Sequence, residues 1–158
     1  MLTKEEKKQI LNSLLETIKG ISDKEYQKRV WIQGEGPEVD DFDESVCNFF
    51  GDGDPVLKNY QDFGITIEQY NTLKIFRDEF EKFCKGIASE YYLPALFINT
   101  LEWKKIIELA KEVLKALFPN RKIEEKEFEK VNAGFVFISS EDFSGNEFLR
   151  FSITTFFL

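Results

Sequence analysis

Apolar residues recur at steps of three and four through most of residues 3–119, a pattern typical of amphipathic helices. The clearest stripe runs from Leu73 to Ile87, and another runs from Trp103 to Leu117. Glycines are placed to end three of the earlier helices, at Gly20, Gly51 and Gly64. Side chains that can cap a helix precede the apolar stretches. We therefore predict helices that begin after Thr3, Ser22, Asp41 or Asp43, Asp54, Thr66 and Thr100, with one short turn at Pro94.

The pattern changes to strict alternation after Pro119. Aromatic and aliphatic residues alternate with polar ones in the run Phe148–Leu158, and the turn-forming residues 141–146 precede this run. These features predict a β-hairpin over residues 132–158. An isolated two-stranded hairpin is marginal in water, so it must pack on the helices, pair with another strand or dock on a partner chain.

The predicted fold class is α+β, with a mainly helical body of five to six helices and a C-terminal β-hairpin. The chain has 158 residues, and domains most often have about 100 to 150. We therefore expect a single domain over residues 1–158, with the helical body in 1–119 and the hairpin in 132–158. The charged stretch 122–130 is the best candidate for a linker between them.

The composition excludes several classes of function. The chain contains no histidine and two cysteines, so it lacks the commonest general base and the usual transition-metal ligands. A net charge of −8 argues against nucleic-acid binding, which requires Lys and Arg to neutralise phosphates. No apolar run approaches the ~20 residues that cross a bilayer, and residues 1–8 do not form a secretory signal. We expect a cytoplasmic protein that is not an enzyme and has no cofactor, nucleic-acid or membrane partner.

The negative charge is concentrated in one segment. Residues 30–57 contain eight acidic residues and no Lys or Arg, whereas the rest of the chain has 21 acidic and 21 basic residues. Aromatic side chains alternate with these acids, which is a composition found in protein interfaces. The simpler interpretation is that most of the rings are core and that half of the acids cap helices. That interpretation assigns a capping role to Asp41, Asp43, Asp52 and Asp54.

Three chemical interpretations of the segment are weaker. A calcium loop starting at Asp41 would place Val46 where the turn requires glycine, and Asp52 where a glutamate closes the loop. Nothing in the sequence distinguishes a catalytic pair of glycosidase carboxylates from ordinary solvated acids. Cys47 and Cys84 lie on apolar stretches, where buried cysteines act as small hydrophobic residues; a disulfide between them stays open. We predict no metal site and no catalytic residue.

Residues 26–118 resemble small acidic bacterial proteins that confer immunity to contact-dependent growth-inhibition toxins and other polymorphic toxins. The resemblance lies in Trp31-Ile-Gln-Gly-Glu-Gly-Pro-Glu38, Asp41-Phe-Asp-Glu44, Phe63-Gly-Ile-Thr66, Gln69-Tyr70, Phe76-Arg-Asp-Glu-Phe80 and Glu102-Trp103. It implies a non-catalytic protein that binds a cognate toxin domain in the cytoplasm. Such a protein blocks the active site of the toxin or its access to substrate.

The leading hypothesis is an immunity-type inhibitor whose acidic surface meets a basic, nuclease-like toxin domain. Its acids would stand in for phosphates, while one or two rings would anchor the partner. The predicted partner-binding residues are Trp31, Glu35, Glu38, Asp40, Asp41, Phe42 and Glu44.

Two other hypotheses belong to different classes. The chain could be a regulatory or scaffold protein that forms a homodimer through the apolar run Phe148–Leu158, whose edge could pair with a second copy. It could also be a hydrolase that uses carboxylates and a metal ion. The third hypothesis is the weakest, because histidine is absent and the ligand spacing fails.

Overall fold

A computed structural model describes residues 1–119, 140–141 and 147–148 of the chain. Backbone contacts divide the chain into two units, Met1–Pro119 and Asn120–Leu158. The first unit is mainly helical, and it contains all seven residues predicted to bind a toxin partner. The prediction of a single domain over residues 1–158 stays a prediction.

Four long helices and three one-turn helices form the described part of the first unit. The long helices are α1 (Lys4–Ser22), α3 (Phe42–Lys58), α4 (Ile67–Lys85) and α7 (Leu101–Leu117). The one-turn helices are α2 (Lys24–Gln27), α5 (Ile87–Glu90) and α6 (Pro94–Phe97). A π-helical turn, Lys28–Ile32, follows α2, and a 3-10 turn, Tyr60–Phe63, follows α3.

The four long helices pack as an up-and-down bundle. Gln69 at the start of α4 donates to the carbonyl of Ala116 at the end of α7, 2.8 Å away, so these two helices are antiparallel. The Ser13 hydroxyl donates to Asp52 across α1 and α3. At the other end, Phe42 at the start of α3 packs against Phe80 of α4 and Trp103 of α7, and Gln27, just after α1, binds Trp103. The C-terminal ends of α1 and α4 therefore meet the N-terminal ends of α3 and α7. We call this the acidic end of the bundle, because the acids of residues 35–44 lie there.

A continuous cluster of rings fills the acidic end. Trp103 is fully buried, and its ring centroid lies 5.0 Å from that of Phe83 and 5.2 Å from that of Phe97. Further down the bundle, Phe49 and Phe76 are also fully buried, with centroids 4.9 Å apart. Rings of this size dominate the apolar area removed from water, so this cluster fixes how the short helices sit on the long ones.

The prediction of two short helices over residues 41–63 is wrong, because α3 runs without a break from Phe42 to Lys58. Gly51 does not end it, and Asp54 does not cap a new helix. Pro55 lies inside α3, although proline removes a backbone donor and disfavours the helix interior. Phe49, Gly53 and Val56 lie buried on one side, and Gly53 packs against Leu14 of α1. Burial of this side offsets the cost of the proline.

The end of α1 also differs from its prediction. The helix continues past Gly20 to Ser22, and Asp23 rather than Ser22 caps α2 by accepting from the Tyr26 amide at 2.9 Å. The capping boxes predicted at Thr3 and Thr66 are present, with both hydrogen bonds of each box. Thr100 caps α7 as predicted.

The α+β fold class is also wrong, because residues 1–119 are 78% helical. The extended pairing among the described residues is two residues long, with Ser140 opposite Phe148 and Glu141 opposite Glu147 in antiparallel register. Such a short pair does not form a β layer. The other residues of the predicted hairpin, 132–139, 142–146 and 149–158, lie outside the described residues, as does the predicted linker, 122–130.

Candidate protein-binding surface

A loop at the acidic end connects the π-helical turn to α3. It covers residues 33–41, and Arg29 of the π-helical turn holds it in place. The two terminal nitrogens of Arg29 donate to the two carboxylate oxygens of Glu38 at 2.8 and 2.9 Å, and one of them also donates to the carbonyl of Glu35 at 3.0 Å. We call residues 33–41 the clamped loop. Paired guanidinium and carboxylate groups in this two-point geometry are among the stronger surface interactions.

Gly36 is required at the centre of the clamped loop. Its φ angle is +105°, in the region that favours glycine, and an added Cβ atom would lie 2.0 Å from a terminal nitrogen of Arg29. Any side chain at this position would therefore strain the backbone and displace the guanidinium. The sequence Gly34-Glu-Gly-Pro-Glu38 takes this conformation because the Arg29 guanidinium lies against Gly36 and binds Glu35 and Glu38.

The clamp changes the ionisation of Glu38. The hydrogen bonds from Arg29 lower the pKa of Glu38 from its usual value of 4.5 to about 2. We expect Arg29→Gln to return this pKa toward the usual value, as measured by carbon-detected NMR titration of the side-chain carboxyl. Lys28→Gln is the matched control, since Lys28 pairs with Glu25 instead. An unchanged Glu38 pKa in Arg29→Gln would show that the clamp does not form in solution.

The sign of the associated pH dependence follows from the lowered pKa. Because folding lowers the pKa of Glu38, the ion pair stabilises the folded loop above the unfolded pKa. That contribution declines as the pH falls below the pKa of Glu38 in the unfolded chain, and it is lost once the pH falls below about 2.

Asp40 is a structural residue at the base of the clamped loop. Its carboxylate accepts hydrogen bonds from the Tyr26 hydroxyl at 2.8 Å, the Trp31 indole nitrogen at 2.9 Å and the Ser45 hydroxyl at 3.1 Å. Burial, followed by the hydrogen bond to Asp40, raises the pKa of Tyr26. Asp40 thus ties α2, the π-helical turn and α3 together, and its replacement would disturb the loop as well as remove a charge.

The other acids of the segment divide into paired and unpaired groups. Asp41 caps α3 by accepting from the Glu44 amide at 2.8 Å, and Asp54 binds Arg77 at 2.9 Å. The exposed carboxylates of Glu35, Asp43 and Glu44 make no hydrogen bond or ion pair within the described residues. These three acids carry accessible negative charge, as does Asp41, which is exposed and whose bond is to a neutral amide. Asp43 therefore belongs to this surface, although the sequence pattern predicts a capping role for it.

The two rings predicted as anchors lie inward. Phe42 is only 6% exposed, with ring centroids 4.9 Å from Phe97 and 5.8 Å from Trp31. Trp31 is half-buried, and its indole nitrogen is occupied by Asp40. Phe42 does not present its ring to solvent, and Trp31 presents only part of its ring.

The exposed apolar residues of the acidic end lie elsewhere. Among the described residues, seven of the eleven large hydrophobic side chains with high exposure fall in residues 30–57 or 86–103. Most of these seven come from α5, α6 and their connections: Tyr91 (40%), Tyr92 (72%), Leu93 (50%), Leu96 (56%) and Leu101 (81%). None of these residues was predicted to bind a partner. The sequence contains two signals of this group. Residues 86–103 also lack Lys and Arg, and several apolar positions within them do not fit a single helical stripe.

Contacts between rings bring the two base-free segments together. Phe42, at the start of α3, touches Phe97 of α6, and α6 also contacts the π-helical turn. The π-helical turn and the first turn of α3 therefore adjoin α6, which carries the exposed Leu96. Val39, in the clamped loop, is 92% exposed. The acidic end combines accessible acids with accessible apolar side chains.

Other candidate chemistry finds less support in the described residues. Cys47 and Cys84 are not joined in a disulfide, and burial raises the pKa of Cys84 to about 12, so this thiol stays protonated near neutral pH. No group of three or more Asp, Glu or Cys side chains in the described part could hold a metal ion. No described helix is both long enough and apolar enough to span a membrane. The predicted homodimer contact, Phe148–Leu158, lies outside the described residues except for Phe148.

No protein-family model, curated protein or solved structure matches this chain. The resemblance to immunity proteins, and the function that it implies, therefore stay predictions. The geometry and the charge of the acidic end are the features that bear on function.

Proposed function

We propose that this protein is a non-catalytic, immunity-type inhibitor that acts in the cytoplasm. It binds a basic, nuclease-like toxin domain at the acidic end of its bundle. The observation that carries the proposal is the clamped loop, in which Arg29 fixes the backbone of Glu35 and which leads directly into the first turn of α3 with its unpaired acids. A loop that is ordered before binding loses less conformational freedom on association.

The charge distribution supports a basic partner. Residues 30–57 and 86–103 contain ten acids and no Lys or Arg, and the contact between Phe42 and Phe97 places the two segments side by side. Clustered carboxylates of this kind attract a surface that normally binds phosphates, and they raise the rate of association at low salt. The lack of histidine in the whole chain supports a binding role over acid–base catalysis.

Neutralising the unpaired acids tests the electrostatic part of the proposal. We expect Glu35→Gln/Asp43→Asn/Glu44→Gln to slow association with a basic partner roughly tenfold at low salt, and to flatten its salt dependence. Glu38, Asp40 and Asp41 are left intact, because each makes structural hydrogen bonds. The matched control is Glu5→Gln/Asp62→Asn/Glu68→Gln, which removes three exposed first-turn acids at the opposite end of the bundle.

The partner is found by capture from a lysate of the cells that encode the chain, at low and at moderate salt. Wild type, the surface variant and the control variant serve as baits, and mass spectrometry identifies the retained proteins. A captured basic protein is then produced with and without the inhibitor, and its toxicity is measured as growth. Relief of toxicity by wild type and the control, but not by the surface variant, is the expected result. Equal relief by all three would contradict the electrostatic model, and no relief by wild type would contradict the function.

A further inference from the structure

The exposed apolar residues of the connection between α5 and α6, of α6 itself and of the start of α7 form a distinct part of the acidic end. Tyr92, Leu93, Leu96 and Leu101 lie within ten residues of one another in the chain and are at least half exposed. We call these four residues the apolar patch. Single exposed apolar side chains are ordinary, but a contiguous group rimmed by charge marks a contact surface.

The apolar patch has a supported base. Phe97 is fully buried beneath it, and its ring lies 4.9 Å from Phe42 and 5.2 Å from Trp103. Thr100 accepts from the Trp103 amide at 3.2 Å and donates to the carbonyl of Phe97 at 2.7 Å, which fixes the turn between α6 and α7. Leu96 and Leu101 therefore flank a turn that the ring cluster holds in place, and Tyr92 and Leu93 lie in the connection that leads into α6.

Acids lie on both sides of the apolar patch in the chain. Glu90 and Glu102 flank it in the chain, and the first turn of α3, with Asp43 and Glu44, adjoins α6 through the contact between Phe42 and Phe97. Neither of the two segments that build this region contains a basic residue, and the lysine that reaches it from α2, Lys24, donates to Asn99 at 2.8 Å. A second copy of the chain would bring acids against acids, which disfavours self-association here, and an anionic lipid surface would be repelled in the same way.

We propose that the apolar patch is the anchor site for a basic protein partner, whose apolar side chains are ringed by lysines or arginines. This inference rests on the proposed function, because it describes how the toxin domain would be held once charge has brought it close. The partner's apolar side chains bury Leu93 and Leu96, while its cations meet Glu35, Asp43 and Glu44. The acids govern the rate of association, and the patch governs the rate of dissociation.

A defined probe tests the anchor site without knowledge of the natural partner. The probe is a labelled peptide of leucine and lysine that folds as an amphipathic helix, and its control is an oligolysine with the same number of lysines. Binding to the full chain is measured by fluorescence anisotropy. We expect wild type to bind the amphipathic peptide at least about tenfold more tightly than the oligolysine, since only the former can bury the leucines.

The matched variants are Leu93→Ser/Leu96→Ser in the patch and Ile67→Ser/Ile75→Ser on α4. The two pairs are closely equal in exposure, at 50% and 56% against 51% and 55%. We expect the patch variant to bind the amphipathic peptide as weakly as it binds the oligolysine, and the α4 variant to bind like wild type. Thermal unfolding followed by circular dichroism checks that both variants fold.

Several outcomes would overturn the anchor site. These are an equal loss of peptide binding in both variants, a loss in neither, or light scattering that shows a dimer of wild type abolished by Leu93→Ser/Leu96→Ser.

The two proposals fail separately. Relief of toxicity that survives Leu93→Ser/Leu96→Ser would leave the inhibitor and remove the anchor site. Patch-dependent peptide binding, without relief of any captured protein's toxicity, would leave the anchor site and remove the function.

Discussion

Truncating Phe42 is expected to destabilise the protein by about 3 to 5 kcal/mol, which is the usual cost of replacing a buried phenylalanine by alanine. Phe42 is 6% exposed and packs against four rings. Their centroids lie between 4.9 and 6.4 Å away, in Phe97, Trp31, Trp103 and Phe80. The variant would leave a cavity between α3, α6 and the π-helical turn. A loss of this size lowers the melting temperature by roughly 10 to 15 °C.

Urea unfolding of Phe42→Ala, followed by circular dichroism, provides the measurement. Val39→Ala is the control at the same end of the bundle, because Val39 is 92% exposed and its truncation is expected to change stability by less than about 0.5 kcal/mol. Phe42→Leu, which retains most of the volume, should fall between the two. If Phe42→Ala were as stable as wild type, the ring would not be core, and the prediction that Phe42 contacts a partner would regain support.

Local signals allowed the helix starts to be predicted well. Thr3 and Thr66 begin capping boxes because the hydroxyl and the Glu or Gln side chain three residues later meet the same backbone turn. Thr100 caps α7 for the same reason. Each of these interactions forms within four residues, so the sequence pattern alone contains the information.

Helix ends and continuity depend on tertiary contacts. Gly51 and Pro55 are local signals against helix, but Phe49 and Val56 bury their side chains on one side of α3 and keep it continuous. The alternation after Pro119 favoured a hairpin, yet the described antiparallel pairing there has only two residues in each strand. The period of a sequence does not show what surface a segment will pack against.

The candidate site could be predicted in part. The charge of residues 30–57 was evident from composition, and Glu35 and Glu44 are exposed as the hypothesis requires. The sequence did not show which acids are already paired. Glu38 binds Arg29 of the π-helical turn, and Asp40 binds Tyr26 of α2, so both contacts depend on how the chain folds. The apolar patch was missed because short helices such as α6 have too few residues for a periodic stripe.

Gln27 shows a further kind of residue that sequence patterns do not reveal. It is a polar side chain with no exposed surface, in a short helix that contains no buried apolar residue. Its side-chain oxygen accepts from the indole nitrogen of Trp103 at 2.8 Å, and its side-chain nitrogen donates to the carbonyls of Gly20 and Ile21 at 2.9 and 2.8 Å. The partners lie 6, 7 and 76 residues away in the chain.

Gln27 therefore joins the end of α1 to the start of α7, directly before the π-helical turn that carries Arg29. We expect Gln27→Ala to destabilise the protein by about 3 to 5 kcal/mol. Part of this loss is the cavity, and part is the desolvation cost of the Trp103 indole and the Ile21 carbonyl, which lose their partners. The carbonyl of Gly20 keeps a second donor, the Asp23 amide at 3.3 Å.

Gln27→Leu separates the two contributions, because leucine restores most of the volume but none of the hydrogen bonds. We expect this variant to remain about 2 to 3 kcal/mol less stable than wild type in urea unfolding, since a buried donor without a partner retains its full penalty. Gln61→Ala, at an exposed glutamine of the 3-10 turn, is the control and should change stability by less than about 0.5 kcal/mol. If Gln27→Leu were as stable as wild type, the hydrogen bonds of Gln27 would add no net stability. The acidic end would then be held by ring packing alone.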